Sequence, residues 1–209
     1  MGRQKQVASF WVQQPAIVDS MYLRKNSASF AQEEQDELIG LLPDLAHKTV
    51  LELASGIGRL TRHLSSQACH LTSVDLTPHF VEKNRRDHAD CLNVDWICAD
   101  VMHLEIEKNS LDVVFFNWLL MYLKDSEVKV LMKKISDWLK PSGSLFFRES
   151  CALKTERGKK SGYYVTYRSL SDYDKLIQEH FVLIREGHIQ AYVNHLADPF
   201  QCFWLGQKS

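Results

Sequence analysis

Residues 49–59 read TVLELASGIGR, a short β-branched and apolar run ending in a turn that holds Gly56 and Gly58. A glycine-bearing turn between strand and helix lets the backbone approach a ligand closely, and the helix that follows offers free N–H groups. Alone, the ExxxGxG spacing is weak evidence. Its context strengthens it. Asp75 closes the run HLTSVDL, 23 positions after Glu52, and a carboxylate there can take both hydroxyls of a ribose. Asp100 closes VDWICAD, where a carboxylate can accept from an adenine amino group while the Val101 N–H meets the ring. Asn117 lies at the end of LDVVFFNW. Four successive strand ends thus carry polar groups on the face where ligands bind. Ribose and adenine together suit either a dinucleotide or S-adenosylmethionine. The dinucleotide fingerprint G-x-G-x-x-G fails, because Thr61 stands three residues after Gly58.

A second constellation follows the run SLFFRES (144–150). Segment 152–168, ALKTERGKKSGYYVTYR, supplies Lys154, Arg157, Lys159, Lys160 and Arg168 with the hydroxyls of Tyr163, Tyr164 and Tyr167. Cations and hydroxyl donors suit a phosphate, and an arginine fork suits it best. The rest of the chain is balanced in charge, so this basic cluster stands out.

Composition sets the bounds. The chain has 209 residues, 45% hydrophobic, with 25 Lys+Arg against 26 Asp+Glu and a formal net charge of -1. That is ample for a core, and it disfavours broad attachment to nucleic acid. No stretch approaches the roughly 18 apolar residues of a membrane span, and the N-terminus lacks a signal-peptide core. The five cysteines include no CxxC, which fits a reducing, cytoplasmic compartment. The nine histidines form no ligand pattern, so no metal is expected.

These residues need a frame to hold them. The pattern predicts helices within 9–42, with Phe30, Leu38, Leu41 and Leu42 on one stripe and Pro43 as the stop. Strands are predicted at 49–54, 70–76, 94–100, 111–118, 144–150, 181–187 and 201–207, and helices at 56–67, after Thr77-Pro78, at 126–140 and at 170–180. The last two strands are read as a hairpin joined by a loop. Alternation of strand and helix implies an α/β, doubly wound, mostly parallel seven-stranded sheet with an antiparallel terminal hairpin. Ligands then bind beyond the carboxyl ends of the strands. The length fits a single domain over 1–209.

ExxxGxG with a terminal antiparallel hairpin resembles the class I S-adenosylmethionine methyltransferases, and this resemblance is what selects the cofactor. VLELASGIGRLT, NSLDVVFFNWLLMYL and LFFRESC are similar to the phosphoethanolamine N-methyltransferases of plants and nematodes, above all to their first methyltransferase domain. The likeness runs from Phe10-Trp11 to CFWLGQK. It implies a cytoplasmic, monomeric enzyme that methylates the amine of phosphoethanolamine. It implies cofactor contacts from Ala54, Gly56, Gly58, Arg59, Asp75, Asp100, Val101 and Asn117. Ala54 stands where the family usually has glycine. It implies phosphate contacts from Ser150, Thr155, Lys160, Tyr167 and Arg168 in a substrate segment at 151–168. Residues 1–45 would form a helical lid that turns Gln14 and Tyr22 toward the substrate. Tyr22 and Tyr122 are the candidate proton acceptors; single-domain protist relatives carry a histidine where Tyr122 stands. Two alternatives remain open: an N-terminal α-amine methyltransferase acting on proteins, and a degenerate cofactor-binding partner.

Overall fold

The computed structural model describes residues 3–152 and 165–209. The described residues form a seven-stranded sheet: β1 Thr49–Leu53, β2 His70–Asp75, β3 Val94–Cys98, β4 Leu111–Asn117, β5 Leu139–Ser150, β6 Phe181–His188 and β7 Gln201–Lys208, in the order β3-β2-β1-β4-β5-β7-β6. The first five pair in parallel, and β7 runs antiparallel between β5 and β6. Strand order reverses between β1 and β4, so a crevice opens at their carboxyl ends.

Both sheet faces are covered, which is why the central strands read as continuous apolar runs. Alternation splits each strand between two cores. Leu51, Leu53, Val114, Phe116, Leu145 and Phe147 face one way, against α6 (Asp125–Trp138) and α7 (Leu170–Gln178). Val50, Val113, Phe115, Phe146 and Phe203 face the other, with Phe30 and Leu38 of α3 (Ala28–Leu41) and Leu64 of α4 (Thr61–Gln67). Aromatic ladders stiffen the β4–β5–β7 region: Phe115, Phe146 and Phe203 stack at 5.7 and 5.8 Å, and Phe116, Phe147 and Trp204 at 5.3 and 5.0 Å.

The N-terminal region holds α1 (Arg3–Val12), α2 (Val18–Tyr22) and α3, and α5 (Pro78–Asp87) opens on its proline as the sequence predicts. The final connection differs from expectation. Between β6 and β7 lies a helix, α8 (Gln190–Leu196), not a bare loop. Its first N–H groups, Gln190 at 2.6 Å and Ala191 at 2.8 Å, donate to the Glu37 carboxylate of α3. The partner that satisfies this helix end lies far away in the chain, so no local pattern announces it.

Candidate active site

A cleft opens at the β1/β4 crevice, lined by the ends of β1, β2 and β4, the turn after β4 and the N-terminal segment. Of the residues expected to hold the cofactor, Ala54, Gly56, Arg59, Asp75, Asp100, Val101 and Asn117 line it. Gly58 stands behind the lining.

The turn after β1 has an unusual backbone. Ala54, Gly56 and Gly58 have φ of 52°, 56° and 82°. Glycine adopts this region freely; alanine pays for its Cβ. A Cβ on Gly58 would sit 2.1 Å from Asn84 Oδ1, and one on Gly56 would sit 2.7 Å from Met21 Sδ. Gly58 is therefore required by space as well as by φ, and Gly56 chiefly by φ. Asp75 ties the turn to β2. One carboxylate oxygen accepts the Gly56 N–H and the other the Thr77 N–H, each at 2.8 Å. The carboxylate also lines the cleft, where it can meet a diol. Burial pushes the Asp75 carboxyl above its ordinary value, and those backbone donors oppose the shift. Behind the turn, Glu52 accepts from Thr61 Oγ1 at 2.6 Å and Ser73 Oγ at 3.0 Å. Burial raises its pKa to about 7. These features fit S-adenosylmethionine, and a buried Asn117 Oδ1 without a partner adds a polar group at the same wall.

The opposite wall is the turn Trp118–Leu123, which includes a 3-10 segment at Leu120–Tyr122. Two buried charges of opposite sign hold it. Glu149 of β5 accepts the N–H groups of Leu119, Leu120 and Met121 at 2.7, 2.6 and 3.3 Å. Arg168 donates to the Leu120 and Leu123 carbonyls at 2.7 and 2.8 Å and to Asp125 Oδ1 at 2.9 Å. This corrects the sequence expectation for Arg168: its guanidinium is 1% exposed and its fork is already occupied by the chain. Ser150, expected to contact the phosphate, has partners of its own. It sits in a hydrogen-bonded trio, with the Trp118 indole N–H donating to it at 3.1 Å and its own hydroxyl donating to Gln201 Oε1 at 3.0 Å. Thr155 and Lys160 lie outside the described residues. Tyr167 is half-buried beside this turn, where the Thr166 N–H donates to the Met121 carbonyl at 2.7 Å.

The N-terminal segment closes the third side. Val7, Trp11 and Met21 line the cleft, and Trp11 meets Tyr122 edge to face at 5.7 Å. Gln14 does not line it; its carbonyl accepts from His79 Nε2 at 2.8 Å. Tyr22 also lies behind the lining. Its hydroxyl donates to Glu34 Oε2 at 2.8 Å and accepts from Arg59, which also pairs with Glu34. The second Glu34 oxygen pairs with Arg148 of β5, and both partners of that pair are fully buried. The sequence reading missed Glu34 and Arg148. The available signal was that Glu34 stands between Phe30 and Leu38 on the apolar stripe of α3.

Neither tyrosine suits the role of base. Burial raises the Tyr22 phenol to about 12, with Arg59 opposing, and it pushes Tyr122 further up, with Glu149 and Tyr167 adding to the shift. A phenol with such a pKa keeps its proton near neutrality.

Comparison with known proteins places this geometry. A methyltransferase domain family matches residues 50–143. The chain is 38% identical to phosphoethanolamine N-methyltransferase 1 of Triticum aestivum over 96% of its length, and 32% identical to phosphoethanolamine N-methyltransferase 1 of Caenorhabditis elegans over 99%. It spans 43% and 48% of those relatives, so about half the length of the curated relatives it matches. It superposes with a TM-score of 0.89 and 28% identity on the Haemonchus contortus phosphoethanolamine N-methyltransferase 1 in complex with phosphoethanolamine and S-adenosylhomocysteine, covering 99% of this chain and 49% of that one. The turn after β1, the carboxylates at the ends of β2 and β3, the strand order and these relatives converge: the chain has the class I methyltransferase fold, with a methyltransferase domain matched over residues 50–143, and is homologous over nearly all its length to the phosphoethanolamine N-methyltransferases.

Proposed function

We propose that the chain transfers a methyl group from S-adenosylmethionine to the amine of phosphoethanolamine, giving N-methylethanolamine phosphate. One observation about its own residues carries the choice of acceptor. Arg59 lines the cleft, its guanidinium held by the Glu34 carboxylate that Arg148 also pairs with, so a cation stands fixed on the cleft wall. Charge out of contact with water is weakly screened and favours an anionic acceptor. The phosphobase bound by the Haemonchus relative supports the same reading.

Asp75 takes the ribose diol, Asp100 and Val101 the adenine, and Ala54, Gly56 and Gly58 shape the approach, with Arg59 and Asn117 on the remaining sides. The cofactor supplies an electrophilic methyl carbon bonded to a sulfonium. The chain's part is to hold the acceptor nitrogen in line with that carbon, and positioning contributes most of such a rate enhancement. The amine gives up its proton to solvent before transfer, which frees the nitrogen lone pair to accept the methyl. Tyr22 positions Arg59 and Glu34, while Tyr122 presents a hydroxyl to the cleft. Tyr167, with Thr155 and Lys160, remains in the proposal for the phosphate. Residues 1–45 act as a lid over the cleft, supported by Val7 and Trp11 in its lining and by the Gln14–His79 hydrogen bond. The reading keeps a cytoplasmic monomer acting on a small molecule. Incubation with methyl-labelled S-adenosylmethionine and phosphoethanolamine, with products separated by mass, tests it. The expected product is the acceptor plus one methyl; label only on an N-terminal peptide, or none on any acceptor, would overturn it.

A further inference from the structure

Trp118 is a tightly constrained residue of the cleft wall. It has φ of 50°, a left-handed backbone that costs a large side chain dearly. Such strain persists only where surroundings over-determine it. Here they do. Its N–H donates to the Arg148 carbonyl at 2.9 Å. Its indole N–H donates to Ser150 Oγ at 3.1 Å and Gln201 Oε1 at 3.0 Å. The Arg148 guanidinium covers the ring at 3.4 Å, and Tyr22 and Tyr192 abut it at 5.7 and 6.3 Å. The residues on either side, Asn117 and Leu119 to Tyr122, start from this fixed point, and Asn117, Leu119 and Tyr122 line the cleft.

We propose that Trp118 is the positioning residue for the acceptor: its indole, anchored on Ser150 and Gln201, holds the strained turn that sets where Tyr122 meets the substrate. The inference rests on the phosphoethanolamine reading and refines it. Ser150 acts through Trp118, and Gln201 with it. The strain is useful because a relaxed turn would carry Tyr122 away from the near-attack geometry, and small displacements there are costly in rate.

The test is a set of variants read by separate measurements. Trp118→Phe keeps a ring but loses the N–H. Ser150→Ala with Gln201→Leu keeps the indole but removes both acceptors. Either change should lower kcat for phosphoethanolamine at least tenfold while the dissociation constant of S-adenosylhomocysteine stays within twofold. Combining all three should lower kcat less than twofold further, since they break one device. Ser150→Thr, which retains the hydroxyl, should keep kcat within threefold of the parent. Unchanged kcat in Trp118→Phe, losses that multiply in the combined variant, or cofactor affinity falling in step with kcat would each overturn the proposal. A parent that does not methylate phosphoethanolamine overturns the functional reading and this inference together; an active parent with unmoved variants overturns this inference alone.

Discussion

At residue scale the cofactor turn yields two opposed predictions. Asp75 binds two backbone N–H groups and lines the cleft. Asp75→Ala should weaken S-adenosylmethionine binding by at least ~1.5 kcal/mol, the scale of a hydrogen bond to a charged group. Isothermal titration on the folded variant checks this, and an unchanged dissociation constant contradicts it. Ala54 works the other way. Its positive φ costs an L-residue about 1–2 kcal/mol, which glycine does not pay. Ala54→Gly should therefore raise stability by about 1 kcal/mol and keep or improve cofactor affinity. Thermal melting and titration together check that. Ala54 was legible as a departure from a glycine position. That the departure is a backbone strain was not, because φ follows from how the whole turn closes onto Asp75.

At the scale of elements, the sequence reading located the strands, the helices and the crevice because alternation and punctuation are local signals. It misjudged roles that depend on burial. Arg168 looked like a phosphate fork because it follows a basic, tyrosine-rich segment, yet its donors satisfy the carbonyls of a turn distant in sequence. Glu149 looked like one letter of a strand, yet it receives three N–H groups of the same turn. The prediction for Arg168 changes accordingly. Arg168→Met leaves buried carbonyls unpaired and Glu149 less compensated, so stability should fall by about 3 kcal/mol. The loss should appear in denaturant unfolding and in kcat. An unchanged unfolding midpoint with a raised KM for phosphoethanolamine alone would restore the phosphate role. The helix α8 escaped notice for the related reason that Glu37 of α3 caps it.

At the scale of the whole molecule, buried carboxylates set the pH response. Burial lifts Glu52 and Glu149 to about 7, above the ordinary glutamate value near 4.5. A carboxyl whose folded pKa is raised binds its proton more tightly folded than unfolded. Its contribution is fully present below about 4.5 and is lost as pH rises toward 7. Stability should therefore fall between pH 5 and pH 7, by about 2 kcal/mol for each group. Urea titrations at the two pH values measure it. Glu149→Gln should remove about half of the slope while its amide oxygen keeps an acceptor for the Leu119 and Leu120 N–H groups. A stability that rises over that window would show the carboxylates to be better solvated than their burial implies.

The Arg59 guanidinium on the cleft wall ties these scales together, because Glu34 of α3, which Arg148 of β5 also grips, fixes this cation of the turn after β1 where an anionic acceptor would bind. Its most direct measurement is kcat/KM for phosphoethanolamine against free ethanolamine, in the parent protein at saturating S-adenosylmethionine. A phosphate drawn by that charge predicts a preference of at least about 100-fold for phosphoethanolamine, the equivalent of two charge-assisted hydrogen bonds. Equal values for the two amines would contradict it.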